Sequence, residues 1–153
     1  MIIGIDPGQT GAIAWLSNGG CLVHVAPLPV VKGQGLMPAS LAAMVHDRDD
    51  ISHAFVERVA ARPGAGVSGM FNFGRNYGMI EGVLAALEIP VTLVTPAKWK
   101  GALRVPADKS ASRARAAQLW PGLAGCFARV KDDGMAEAAL IGLYGAQSIR
   151  GAL

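Results

Sequence analysis

The sequence predicts an α/β domain built on a mixed β-sheet. Three observations predict it. The first 25 residues hold three short apolar runs joined by tight connections, one of them Asn18-Gly19-Gly20, so these strands pair antiparallel. Helical and extended patterns then alternate, which implies parallel strands joined by crossover helices. Two of the strands, finally, end on an acid, Asp6 and Glu57, after an otherwise apolar run.

The first strand spans residues 1–6, with Met1, Ile2, Ile3 and Ile5 leading into Asp6, and Pro7-Gly8 breaks it. Residues 11–17 form the second strand and 21–25 the third. The Pro- and Gly-rich stretch 27–38 reads as a loop, and 40–46 as a helix with Leu41, Met44 and Val45 on one stripe. Residues 52–58 form the fourth strand, in which Ala54, Phe55 and Val56 deliver Glu57. Three glycines and a proline make residues 61–69 a loop. A helix follows over about 70–87, then a fifth strand at 91–94. Thr95-Pro96 opens a short helix carrying Lys98, Trp99 and Lys100, and 104–106 is a connector. Residues 108–119 form a basic helix capped by Asp108. Pro121 and Gly122 break it, and Asp132 and Asp133 open the last helix, which runs to about 147.

With 153 residues, 52% of them hydrophobic and 16% charged, the chain fits one globular domain over 1–153 and not a disordered polymer. No apolar run approaches the roughly 20 residues that span a bilayer, and the start lacks the basic region of a leader. Cys21 and Cys126 fit no disulfide or metal framework, which implies buried, reduced thiols and a cytoplasmic setting. His24, His46 and His53 show no ligand spacing. Net charge is only +3, yet residues 98–131 hold eight Lys or Arg against Asp108 alone, a local +7. Such a segment is either a solvated helix face or the footprint of a polyanion.

An acid at the end of a buried strand is costly unless something pairs with it. Three regions supply acids: Asp6, Glu57, and the group Asp132, Asp133 and Glu137. Asp133 and Glu137, four apart, share a helical face. If the first and fourth strands are neighbours and the last helix packs over them, these acids converge. Clustered carboxylates do not all ionise without cations. Hard oxygen ligands suit Mg²⁺, with Mn²⁺ as a substitute, and two such ions activate water and steady the leaving oxygen of a phosphodiester. Each acid also has a plainer explanation: Asp6 as a turn residue, Glu57 as the partner of Arg58 or a lysine, Asp132 and Asp133 as dipole-favoured helix starters. Their conjunction is what favours a shared site.

The motifs Gly4-Ile5-Asp6-Pro7-Gly8 with Thr10-Gly11, Val56-Glu57, and Asp132-Asp133-Gly134-Met135-Ala136-Glu137-Ala138 resemble the acidic motifs of the RuvC-type Holliday-junction resolvases, a ribonuclease H-like group. The resemblance follows chain order from the first strand to the last helix. It implies a five-stranded sheet in order 3-2-1-4-5, first three strands antiparallel, flanked by helices. It also implies a homodimer that cuts four-way DNA junctions symmetrically with two divalent ions per site. Asp6 and Glu57 match the first two family acids, Asp133 the third and Glu137 the last. Here the final pair is four apart where the family spacing is three, which leaves Asp132 as a competing ligand and resembles phage or other divergent members. Lys100 and Lys109 resemble the lysines that face the scissile phosphate. Residues 62–69 sit where the family places a DNA-probing loop; this chain has no aromatic there, but Arg62 lies in it and Phe71 and Phe73 follow. Gly74 and Gly78 suggest close helix packing, in the dimer or within the chain. Arg62, Arg75, Lys98, Lys100, Arg104, Lys109, Arg113 and Arg115 form the expected DNA-binding set.

The leading expectation is therefore an endodeoxyribonuclease for branched DNA, with no membrane and no nucleotide cofactor. Other readings are a nuclease of the same fold acting on other branched DNA or on RNA, an actin-like phosphotransferase, which needs a second half-domain, and a DNA-binding module without activity.

Overall fold

The computed structural model describes residues 1–153 other than 9, 49, 61–63, 65, 107, 109 and 153. Its strands are β1 (Ile2–Asp6), β2 (Ala12–Leu16), β3 (Leu22–Pro27), β4 (Val30–Val31), β5 (Gly35–Leu36), β6 (His53–Glu57) and β7 (Val91–Val94). Five of them form one sheet in the order β3-β2-β1-β6-β7. β1 pairs antiparallel with β2, β2 antiparallel with β3, and β6 runs parallel to both β1 and β7. This is the predicted layout, with β6 and β7 as the fourth and fifth strands of the expectation.

The helices are α1 (Pro38–His46), α2 (Val67–Ala86), α3 (Pro96–Ala102), α4 (Ala111–Leu119) and α5 (Asp133–Ile149), with 3₁₀ segments at Pro121–Phe127 and Val130–Asp132. Four local expectations are corrected. The stretch 27–38 is not wholly loop, since β4 and β5 pair as a small hairpin within it. α2 starts inside the glycine-rich segment, because packing of Ile80 and Leu84 sustains a helix whose first turns have poor intrinsic propensity. Asp108 is not the cap of α4: its Oδ1 accepts the Ser110 N–H at 2.7 Å and the Ser110 hydroxyl at 3.0 Å, closing a turn ahead of the helix. Cys21 is exposed, not buried, although it and Cys126 are both free thiols.

Side chains alternate across the sheet with period two, and this sorts the site. Ile3 and Ile5 of β1, with Ala54 and Val56 of β6, face α1 and α2, where Leu41, Ile80 and Leu84 complete one core. Ile2 and Phe55 face the other way, into a core built with Trp99, Leu140 and Phe127. By the same parity Asp6 and Glu57, each one step past the last apolar residue of its strand, point to the α5 side. They are carried there by adjacent parallel strands, β1 and β6.

α5 can approach that side closely because its inner face is small. Gly4 of β1 lies directly against the backbone of Ala138 and Gly142, and a Cβ on Gly4 would fall on those atoms. Gly4→Ala should therefore destabilise the protein by about 3 kcal/mol or more, as overpacking against backbone that cannot yield. Urea denaturation followed by circular dichroism checks this; a loss within error of zero would contradict the contact.

Candidate active site

Asp6 ends β1 and is 9% exposed. Its Oδ1 accepts the Gly8 N–H at 3.0 Å, and the Gly11 N–H returns to the Gly8 carbonyl at 2.9 Å, so the Asp-Pro-Gly turn is locked by the same acid. The turn reading and the site reading of Asp6 thus coexist. Its pKa is pushed up to about 7, chiefly by burial. The Gly8 N–H and Lys100 oppose this rise, while the nearby Glu57 and Glu137 carboxylates add to it.

Asp6, Glu57 and Glu137 line one cleft of about 470 Å³, with Gly8 and Thr10 beside them. Gly66, Gly69, Met70 and Phe73 from the start of α2 form its other wall. Glu57 accepts the indole N–H of Trp99 at 2.9 Å. Glu137, one turn into α5, binds the Lys100 ammonium at 3.0 Å and accepts the Ser112 hydroxyl at 3.2 Å. Lys100 comes from the last turn of α3, so α3, α4 and α5 converge on one carboxylate.

The other two acids of the expected set stand apart from this cleft. Asp133 opens α5, and its Oδ1 meets the Arg113 guanidinium at 2.6 Å. Asp132 is buried and forked by Arg129, with contacts of 2.9 to 3.2 Å, and it also accepts the Arg129 backbone N–H. The fork holds the Asp132 carboxyl below its usual range. The first-turn residue that meets Asp6 is Gly134, where a Cβ would strike the Thr10 carbonyl and come within 3.1 Å of Asp6 Oδ2. The described residues accordingly contain no ready-made group of three or more His, Cys, Asp or Glu placed to hold an ion. Three carboxylates nevertheless share the cleft, and the buried one holds its proton to near neutrality. That is the electrostatic demand a hard divalent cation meets, so the donor chemistry fits one.

The expected DNA-binding residues are spread more widely. Arg75 is exposed on α2, and Arg104 is exposed with a left-handed backbone (φ 54°). Lys98 lines a separate cavity with His53, Phe55, Thr92 and Tyr144. Arg113 is committed to Asp133, and Arg115 is half-buried with an Nε that has no hydrogen-bond partner among the described residues. Arg62 and Lys109 lie outside the described residues. Phe71 is 71% exposed and does not pack the start of α2, whereas Phe73 lines the cleft. Among the described residues a Cβ on Gly74 or Gly78 would meet nothing within 4 Å, so packing against those residues does not account for them.

Trp99 and Ser112 are the site-contacting residues that pattern reading missed. A buried indole needs an acceptor for its N–H, and Trp99 precedes Lys100, which is the one signal the sequence carries.

Solved structures of other proteins share this fold. The T. thermophilus RuvC in complex with a Holliday junction substrate superimposes with a TM-score of 0.69 at 17% identity, over 99% of this chain and 96% of that one. The chain has the fold of the RuvC-type Holliday-junction resolvases. The yeast mitochondrial Holliday junction resolvase aligns with a TM-score of 0.60 at 17% identity, covering 95% and 77% of the two chains. The fowlpox virus resolvase, solved with Holliday junction DNA, gives 0.54 at 15% identity, covering 97% and 99%. No protein-family model and no curated protein matches the chain.

The raised pKa of Asp6 makes a stability prediction. The folded protein holds the Asp6 proton more tightly than the unfolded chain, whose carboxyl titrates near 3.8. The penalty is absent below pH 4, grows as pH rises to 7 and is complete above it. In EDTA at pH 8, Asp6→Asn should stabilise the protein by up to about 4 kcal/mol, and that gain should vanish below pH 4. Urea titrations at both pH values check this.

Proposed function

We propose that this chain is a metal-dependent, structure-selective endonuclease that hydrolyses phosphodiesters in branched DNA, four-way junctions foremost. The observation that carries the proposal is the common cleft of Asp6, Glu57 and Glu137 with Lys100 at its rim, on a fold shared with proteins solved on Holliday junctions.

Asp6, Glu57 and Glu137 would hold Mg²⁺ or Mn²⁺, two ions per site, and Asp6 feels both of the other carboxylates. The ions supply a more acidic attacking water and charge neutralisation at the leaving oxygen. Lys100 bonds Glu137 in the free protein; once released, its ammonium can hold a non-bridging phosphate oxygen and offset charge developing there. Lys109 is proposed for the same task on the resemblance alone. Ser112 donates to Glu137 and would keep it aimed at the cleft. Asp133 and Asp132 act differently in this reading: they fix Arg113 and Arg129 at the start of α5. Exposed Arg75, Lys98 and Arg104 would contact phosphates and so set affinity, not sequence choice. Two symmetric cuts need two sites. α2, with exposed Val67 and Phe71 and open Gly74 and Gly78, is the helix proposed to face a second copy.

Purified protein with Mg²⁺ should nick a synthetic four-way junction at symmetric positions, and Asp6→Asn should bind the junction without cutting it. Equal cutting of linear duplex would remove the structure selectivity; cleavage confined to RNA would favour the alternative nuclease. The logarithm of junction affinity should fall linearly with the logarithm of salt concentration, and a flat response would remove phosphate contacts from the account.

A further inference from the structure

We propose that Trp99 is a positioning residue for the site, orienting Glu57 through its indole N–H and Lys100 through its ring face. This rests on the nuclease reading above. Trp99 is fully buried in the core on the α5 side of the sheet, with its rotamer fixed by packing. Its Nε1 donates to Glu57 Oε1 at 2.9 Å. The Lys100 ammonium lies 5.0 Å from the centroid of the same ring and reaches Glu137 at 3.0 Å. One buried side chain therefore touches both Glu57 and the lysine that binds Glu137.

The chemistry of the donor matters. An indole N–H is neutral and never an acceptor, so it fixes the direction of a carboxylate oxygen without adding a charge of its own. The ring face adds a cation–π attraction that holds the ammonium near the cleft after it leaves Glu137. Partners that orient a ligating side chain in this way commonly change metal affinity by about 10–100-fold when removed.

The test uses the full chain. Trp99→Phe keeps an aromatic face and removes the N–H. It should raise the Mn²⁺ midpoint about tenfold or more, both in the DNA-free thermal shift and in junction cleavage, with junction affinity in EDTA unchanged. Phe127→Leu, which thins the same core without touching Glu57, should leave both midpoints in place. Unshifted midpoints in Trp99→Phe, or equal shifts in Phe127→Leu, would overturn the proposal. A second measurement needs no core variant: the Trp99 indole N–H resonance of the wild type should move with Mg²⁺ and with Glu57→Gln, while that of Trp15, whose Nε1 has no partner among the described residues, stays fixed. Wild-type cleavage with an unmoved Trp99 resonance would sink this inference alone; no cleavage and no Mg²⁺ response would sink the nuclease reading with it.

Discussion

The close approach of α5 to β1 is the constraint on which the rest depends. Backbone lies on backbone where Gly4 meets Ala138 and Gly142, and again where Gly134 meets the Thr10 carbonyl. Contact at that distance fixes the height and rotation of α5 over the sheet, since no side chain lies between to absorb a shift. Glu137 is carried on that helix, and Asp6 on that strand. Their common cleft therefore follows from the contact, and so does the burial that pushes the Asp6 carboxyl upward.

Charge is arranged around this contact in compensating pairs. The segment 98–131 carries a strong positive excess, but the acids that answer it lie just beyond its end. Lys100 meets Glu137, Arg113 meets Asp133 and Arg129 meets Asp132. Two of these pairs differ from the third in kind. Asp132 and Asp133 are tied to guanidinium groups, which bind carboxylates in fixed geometry. Glu137 is tied to an ammonium on a flexible stem, a contact that a stronger cation can displace. Asp6 lies beside that displaceable pair. The free protein thus holds an acidic centre partly balanced by its own lysine, and the burial cost remains on Asp6.

Most of the sheet was legible in the sequence because its strands are apolar runs bounded by strong turns, and Asp6 and Glu57 were legible as the ends of two of them. β4 and β5 were hidden, since two-residue strands leave no period to detect. The early start of α2 was hidden because glycine composition argued against it and tertiary packing overrode that preference. In the site, Asp6 and Glu57 stood out by their places at strand ends, whereas position did not separate Glu137 from Asp132 and Asp133. The contacts of Trp99 with Glu57 and of Ser112 with Glu137 join residues 42 and 25 apart, and no local pattern encodes them. Asp133 shares a nominal face with Glu137, yet at the first residue of a helix a neighbouring arginine decided its direction. The residue that faces Asp6 from that turn is a glycine.

The most direct measurement of the central claim is anomalous diffraction from crystals of the protein soaked in Mn²⁺. The account predicts anomalous peaks in the cleft lined by Asp6, Glu57 and Glu137, with Lys100 withdrawn from Glu137. An empty cleft in a Mn²⁺-loaded crystal, or peaks at Asp132 and Asp133 with Asp6 uninvolved, would contradict it.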